Sequence, residues 1–152
     1  MALQNKLGIT DSTELARAEE RISKKNAAVM FENGFFDRLN AGTFESLSQI
    51  HYRLFSEVYD FPGELREGNG RSMRVWLDLM LKSSLGRVVD WSRVDKDDYL
   101  LAMERSPIKD IEIKHLLKNA LTDEINDREM YMKGIDHSYY YEGYSVYKTA
   151  EL

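Results

Sequence analysis

The chain has 152 residues, enough for one compact core, and we expect residues 1–152 to form a single domain. Its 21 Lys and Arg residues against 26 Asp and Glu give a formal charge of −5, which argues against nucleic-acid binding, since that needs a basic face. The absence of cysteine excludes disulfides, thiolate catalysis and cysteine metal sites. No apolar run approaches the ~20 residues of a membrane span and no signal-peptide pattern opens the chain, so we expect a cytoplasmic protein without membrane contact.

Helical spacing of apolar residues predicts an all-α fold, interrupted only by Pro62 and Pro107. Asp11 followed by Glu14 is the pattern of a capping box, so a first helix is predicted from near Asp11 to the Asn-Gly pair at 33–34. The apolar face of this helix is predicted to comprise Leu15, Ala18, Ile22 and Val29.

Two further helices flank the middle of the chain. Thr43 is a candidate N-cap for the second helix. Its apolar stripe is formed by Leu47, Ile50, His51, Leu54, Phe55 and Val58. The third helix is predicted to begin at about Gly70 and to end at Gly86. One side of it carries Met73, Trp76, Leu77, Met80 and Leu81, which we interpret as core.

The second half of the chain is predicted to contain four more helices. The first covers 96–105 and ends before Ser106-Pro107, with Asp95, Asp97 and Asp98 at its solvated start. The others are predicted over 109–121, 123–133 and 137–143. Residues near 136–144 therefore form a short terminal helix in this prediction.

The segment between the second and third helices has the pattern of an anion-binding loop. Gly68 and Gly70 flank Asn69, which lets the backbone turn and present successive N–H groups on one side. The loop leads directly into a helix, whose N-terminus attracts negative charge. Arg71 and Arg74 are three residues apart in the first turn and can converge on one polyanion. The alternative interpretation is a glycine-rich turn with surface arginines.

This segment also carries a family resemblance. Glu67-Gly-Asn-Gly-Arg71-Ser-Met-Arg74 resembles the second half of the Fic signature, His-x-Phe-x-(Asp/Glu)-Gly-Asn-Gly-Arg-x-x-Arg. Residues 50–55 and 58–63 resemble the helix and turn that precede the active site in that family. With the C-terminal segment described below, three segments match in the correct order, and the resemblance runs from about Glu14 to the end of the chain.

The resemblance implies a Fic-type helical bundle around an active-site loop, and a protein adenylyltransferase activity. Such enzymes transfer AMP from Mg-ATP to a hydroxyl of a target protein and release pyrophosphate. Glu67 would hold Mg²⁺, and the α- and β-phosphates would be held by Gly68, Asn69 and Gly70. Arg71 and Arg74 would bind the β- and γ-phosphates and stabilise charge during transfer, as catalytic residues.

The chain departs from the family pattern before the loop. Gly63 stands where the family has its general base, a histidine, and Leu65 stands where it has phenylalanine. The flap hairpin that docks the target, a core helix and the histidine are missing, and residues 63–66 join the turn before the flap directly to the active-site loop. Three explanations remain open: an omitted stretch of the polypeptide, an engineered deletion and a natural deletion that abolishes catalysis. We favour the first, because losing a core helix would uncover apolar faces at ~1.5–3 kcal/mol per large side chain.

A second functional segment lies near the C-terminus. Ser138-Tyr-Tyr-Tyr-Glu142-Gly143 resembles the inhibitory signature (Ser/Thr)-x-x-x-Glu-(Gly/Asn) of the small, self-inhibited Fic class. The resemblance implies that the Glu142 carboxylate forms a bidentate pair with the Arg74 guanidinium and denies it to the γ-phosphate. The alternative is a terminal helix whose tyrosines only pack. Self-modification of the C-terminal tyrosines and assembly into a homo-oligomer are left open.

The three histidines give weaker signals. His51 lies on the apolar stripe of the second helix, where a hydrogen-bonded core histidine is the favoured interpretation over a catalytic base. His115 and His137 lack partners at metal-ligand spacing. Two functions from different classes remain: a self-inhibited AMP transferase with ATP and a target protein as partners, and a catalytically dead nucleotide-binding or interaction module of the same fold.

Overall fold

The computed structural model describes residues 2–61 and 67–152. The described residues are mostly helical, so the all-α prediction is confirmed at this level, with one two-stranded ribbon added. The helices and strands are α1 (Ser12–Glu32), α2 (Phe44–Phe55), α3 (Asn69–Leu85), β1 (Val88–Val89), α4 (Lys96–Arg105), α5 (Ile111–Lys118), β2 (Leu121–Thr122) and α6 (Arg128–Tyr140), with 3₁₀ turns at Phe35–Arg38, Trp91–Arg93 and Thr149–Glu151. None of these helices is both long and apolar enough to cross a membrane.

Side-chain caps begin the helices where the sequence predicts them. The Asp11 carboxylate accepts a hydrogen bond from Glu14 N at 2.8 Å at the start of α1. The Thr43 hydroxyl accepts one from Ser46 N at 3.1 Å at the start of α2. Each cap satisfies a backbone N–H that has no partner within its helix. The predicted starts of α1 and α2 are therefore confirmed.

The chain after α4 differs from the prediction. The helix predicted over 109–121 is shorter, because Leu121 and Thr122 pair antiparallel with Val89 and Val88. The separate helices predicted over 123–133 and 137–143 are one helix, α6, capped by Asp127. The segment near 136–144 is thus the last part of a longer helix and the turn that follows it. Burial of Met132 and Ile135 on one face favours an unbroken helix over two short ones.

The main core lies among α1, α2, α3 and α6. The predicted stripe of α2 is buried throughout, including His51 and Phe55. A second cluster around Trp91 joins the ribbon and α4 to Tyr141, which follows α6. Both clusters include residues of α3, Val75 in the main core and Leu77 and Leu81 packed against the second, so α3 lies between them.

The buried faces of α1 and α3 differ from the prediction. Val29 is 46% exposed and Met73 is 43% exposed, so neither is a core residue. The buried positions of α1 include Glu19, Glu20 and Lys24, and α3 buries its arginines. The physical reason is mutual neutralisation: Glu19 pairs with Arg71 of α3 and Glu20 pairs with Lys24 within α1, which removes much of the cost of burying each charge alone.

Gly134 offers a stability test of α6. It lies inside the helix, and a Cβ there would lie 3.4 Å from Cδ1 of Trp91, an ordinary van der Waals contact. We therefore expect Gly134→Ala to raise the free energy of unfolding by about 1 kcal/mol, the usual difference in helix propensity. Urea denaturation followed by circular dichroism measures this change. A loss of stability would show that the space beside Trp91 does not admit a methyl group.

Candidate anion site at the start of α3

The loop before α3 is packed against α2. Gly68 has φ +73°, and a Cβ at this residue would lie 2.4 Å from two carbons of the Phe55 ring. The His51 ring is hydrogen bonded through Nε2 to the carbonyl oxygen of Glu67. These contacts fix the loop directly on the core. Gly63, Leu65 and the predicted junction over 63–66 lie outside the described residues.

Arg71 is buried beneath this loop, with 1% of the residue exposed. Its Nη1 donates to the carboxylate of Glu19, which also accepts from the Tyr59 hydroxyl. The guanidinium lies 4.4 Å from the centroid of the Tyr144 ring and 4.8 Å from that of Phe55. Burial lowers the pKa of Arg71, but Glu19, Tyr139, Tyr144 and Glu142 together raise it by more, so the pKa is raised overall. Arg71 is therefore a buried cation at any ordinary pH.

Arg74 is paired with the segment that follows α6. Its Nε donates to the Ser138 hydroxyl at 2.6 Å and its Nη2 to the Ser138 carbonyl at 3.0 Å. Nη2 also donates to Oε2 of Glu142 at 2.6 Å, while Nη1 donates to the Tyr99 hydroxyl at 3.1 Å. The expected pair between Glu142 and Arg74 is present, and Ser138 contributes to the same arginine.

The Glu142 carboxylate does not bind Arg74 in the expected bidentate way. Oε2 is shared between the two arginines, since it lies 3.4 Å from Nε of Arg71. Oε1 is directed at the first turn of α3, where a Cβ on Gly70 would lie 2.9 Å from it. One carboxylate thus occupies the point at which the helix N-terminus and both guanidinium groups converge, which is where an anion would bind.

Two buried polar atoms beside this point have no hydrogen-bond partner among the described residues. They are Nε of Arg71 and the hydroxyl oxygen of Ser72. A buried donor without an acceptor costs roughly 1–3 kcal/mol. Both atoms can donate to a further acceptor, so the site has donor capacity that Glu19 and Glu142 leave unused.

Glu67 is the candidate metal ligand. Its side chain is 38% exposed and one carboxylate oxygen lies 4.0 Å from Nη2 of Arg71. Within residues 2–61 and 67–152, no group of three or more His, Cys, Asp and Glu side chains forms a metal site. Mg²⁺ is commonly held by one or two carboxylates together with substrate phosphates. Glu67 therefore fits Mg²⁺ that arrives with a nucleotide, and does not by itself form a resident metal site.

The sequence analysis did not identify Glu19 as part of the site. The residue lies in the same buried row of α1 as Leu15, Ser23 and Ala27, at four-residue spacing. A carboxylate in an otherwise small or apolar row indicates a buried partner of opposite charge. The four-residue spacing can be seen in the sequence. Glu19 was missed because the apolar face of the helix was predicted to include Ala18 and Ile22 instead.

A C-terminal strap, defined as residues 144–149, ties the chain after Glu142 to α1 and α6. Glu20 accepts hydrogen bonds from Val146 N at 3.2 Å and Tyr147 N at 2.8 Å. The buried Lys24 donates to Glu20 at 2.9 Å and to the Tyr147 carbonyl at 2.7 Å. Because the strap begins two residues after Glu142, these hydrogen bonds restrict the position of the Glu142 carboxylate.

The end of the strap provides a test of this attachment. Asp136 accepts from Thr149 N at 2.9 Å and from the Thr149 hydroxyl at 2.7 Å. Thr149→Val removes only the second bond, so we expect a loss of about 1–2 kcal/mol in the free energy of unfolding. Urea denaturation measures the loss, and Thr149→Ser, which keeps the hydroxyl, is the matched control. Equal stability of the valine and serine variants would show that the hydroxyl bond contributes nothing.

The remaining predicted residues lie around this site. His51 is fully buried, and burial lowers its pKa below the usual value, as expected for a core histidine. Gly143 follows Glu142 with φ +89°. Tyr139 and Tyr141 are buried, whereas Tyr140 is 44% exposed. The structure thus brings Arg71, Arg74, Ser138 and Glu142 together at the start of α3. No model of a known protein family matches the chain.

Proposed function

We propose that the chain is a Fic-type protein adenylyltransferase domain that Glu142 holds inactive. One observation carries the proposal: Glu142 lies 2.6 Å from Arg74, although 68 residues separate them. These two residues belong to the two sequence segments on which the family resemblance rests. A chance resemblance in both segments gives no reason for them to meet, whereas self-inhibition requires it.

The first turn of α3 would bind the nucleotide. Its free N–H groups, from Gly68 to Gly70, suit the α- and β-phosphates, and Arg71 and Arg74 suit the β- and γ-phosphates. Mg²⁺, held by Glu67 and the phosphates, would neutralise charge on the leaving pyrophosphate. The Nε of Arg71 supports this assignment, because it makes no hydrogen bond among the described residues although Glu142 lies 3.4 Å away, and a phosphate oxygen could accept from it.

The chain lacks an evident general base to remove the proton from the target hydroxyl. The family's histidine has no counterpart at Gly63. His51 does not replace it, because it is fully buried and its Nε2 is hydrogen bonded to the Glu67 carbonyl. General-base assistance contributes roughly 10²–10⁴ in rate. We therefore propose that AMP transfer by this chain is slower by that factor than in a chain that carries the base.

The burial of Arg71 favours a second candidate function. With both arginines paired internally to carboxylates, the fold retains its phosphate site in a closed state. A catalytically silent nucleotide-binding or interaction module requires such a site but does not require a general base. Turnover separates the two candidates: the first transfers AMP slowly to protein, and the second binds ATP without transfer.

The test measures both binding and transfer. Isothermal titration with Mg-ATP and incubation with ATP labelled at the α-phosphate are performed on the whole chain and on Arg74→Ala as control. Binding that Arg74→Ala weakens, with label on protein, supports the transferase. Binding without label supports the silent module. Binding that Arg74→Ala does not weaken, or no binding even when Glu142 is replaced, would overturn both.

Self-modification belongs to the same proposal. Tyr140 follows the buried Tyr139 and exposes 44% of its surface, so it is the tyrosine of the inhibitory segment best placed to accept AMP. Burial raises the pKa of Tyr144 to about 12, which makes that hydroxyl a poorer nucleophile. Label on the chain itself would therefore be expected at Tyr140.

A further inference from the structure

A cavity of about 70 Å³, partly open to solvent, is lined by residues of α1, α3, β1 and α6. Aromatic side chains form much of its wall, namely Phe31, Phe36, Trp91 and Tyr131. Two of these rings, Phe31 and Tyr131, are stacked with centroids 4.7 Å apart, and Phe36 meets Tyr131 edge-on at 5.9 Å. The aromatic wall is therefore ordered by its own packing.

One carboxylate, that of Asp78, lies in this apolar wall. It accepts hydrogen bonds from Val89 N at 2.9 Å and from the indole Nε1 of Trp91 at 2.8 Å. No ion pair to Asp78 is formed by any residue in the described part of the chain. Each carboxylate oxygen has a second lone pair, so Asp78 can still accept from a ligand. Asp78 is half-buried and lines the cavity, so a ligand in the cavity can reach its carboxylate.

The other charges around the cavity do not supply that partner. Arg74 lines the inner end, but its charge is paired with Glu142. Lys82 lies at the rim, where its Nζ donates to Asn126 at 2.8 Å. Two further carboxylates, those of Glu124 and Asp127, also line the cavity. Asn126 is neutral, so three carboxylates line the cavity against one cation, Lys82, that no carboxylate of the described residues pairs, and this excess favours a positively charged ligand.

We propose that this cavity binds a small organic cation, an arylalkyl ammonium ion, whose ammonium group enters the cavity to meet Asp78 and whose ring lies against the aromatic wall at the open side. Aromatic faces attract cations, and an apolar pocket with one convergent charge is the usual form of a small-molecule site. None of the four aromatic residues belongs to the anion loop or to the inhibitory segment. Arg74 and Ser138 of the contact with Glu142 also line the cavity, but the ligand is placed on Asp78 and the aromatic wall, so the inference does not require the proposed adenylyltransferase activity.

The experiment uses the Trp91 indole as a reporter in the full chain. The protein has two tryptophans, so the ¹H–¹⁵N spectrum contains two indole signals, which Trp76→Phe assigns. Benzylammonium is titrated in and the Trp91 Nε1–H signal is followed. The Trp76 indole donates to the Thr43 carbonyl and serves as internal control. Benzyl alcohol and benzoate are the neutral and anionic matched probes.

We expect a saturable shift of the Trp91 signal by benzylammonium, in the millimolar range typical of ligands with few atoms. Benzyl alcohol should bind at least threefold more weakly, and benzoate should not bind. Burial raises the pKa of Asp78 to about 7, so affinity for the cation should fall about tenfold from pH 8 to pH 6 as Asp78 gains its proton. The other charged or titratable groups that line the cavity are Arg74 and Lys82 on α3 itself, and Glu124, Asp127 and Tyr131 from the chain around α6.

Two variants complete the test. Asp78→Asn should remove the preference for ammonium over alcohol. Gly134→Ala retains the carboxylate and narrows the cavity beside Trp91, so it should weaken binding of both probes. If Asp78→Asn does not fold, the proposal is tested by the order of affinities of the three probes and by the pH dependence of binding, both measured on the native chain. No shift of the Trp91 signal, or equal affinity for benzylammonium and benzoate, would overturn the proposal.

Discussion

Replacing Glu142 by glycine is expected to raise the affinity of the chain for Mg-ATP by about tenfold or more. The Glu142 carboxylate lies 2.6 Å from Arg74 and 3.4 Å from Arg71, the two cations proposed to bind the phosphates. A charge-assisted hydrogen bond contributes ~1.5–3 kcal/mol, and the nucleotide must break this one before it binds. Titration calorimetry at fixed Mg²⁺ measures the gain, and the transfer assay should show a parallel increase.

The matched control is Glu142→Gln, which keeps the shape of the side chain and removes its charge. It should give a smaller gain, because the amide still competes for the site. Arg74 retains Ser138 and Tyr99 as partners, so Glu142→Gly should still fold. Introducing Arg74→Ala into the Glu142→Gly chain should abolish the gain. Unchanged ATP affinity in both Glu142 variants would contradict the inhibitory role.

Gly68→Ala is expected to have the largest effect on stability. The new methyl group would lie 2.4 Å from two atoms of the Phe55 ring, a buried side chain that cannot retreat. Overpacking of this kind costs ~1–3 kcal/mol, and the left-handed φ of +73° adds ~1–2 kcal/mol for a residue with a side chain. Urea denaturation measures the sum, and the variant should also lose binding of Mg-ATP.

Gly86→Ala separates the two causes. Gly86 has a similar φ of +64°, but a Cβ there meets nothing within 4 Å. This control should therefore lose only the ~1–2 kcal/mol that the backbone conformation costs. If both variants lose the same amount, the close contact between the loop and Phe55 is not what makes Gly68 necessary.

Much of this fold follows from local signals in the sequence. Caps such as Asp11 and Thr43 act within three residues, so their patterns predict helix starts reliably. The stripe of α2 is apolar on one face, and that face is buried. Gly68 begins α3 with a left-handed φ, as predicted for a turn glycine, but the helix starts at Asn69, so Gly70 belongs to its first turn and not to a loop. These features depend only on neighbouring residues.

Features that depend on distant residues were predicted less well. The ribbon pairs residues 88–89 with 121–122, and strands of two residues carry no periodic signal. Burial of Glu19 is stabilised by Arg71, 52 residues further along the chain, so local hydrophobicity gives the wrong face of α1. The meeting of Glu142 with Arg74 followed from the family resemblance, and spacing alone did not predict it.

Because Gly70 has no side chain, the Glu142 carboxylate can lie directly against the proposed anion site. A methyl group at this position would lie 2.9 Å from Oε1 of Glu142 and 3.1 Å from Nη1 of Arg74. Such a group would displace the inhibitory carboxylate, but it would also fill the space that a phosphate needs. Under the proposed function, a side chain at Gly70 would therefore release the Glu142 carboxylate and block the nucleotide at the same time. Substitutions expected to raise activity under that proposal lie on the other side of the contact, at Glu142 and the residues that hold it.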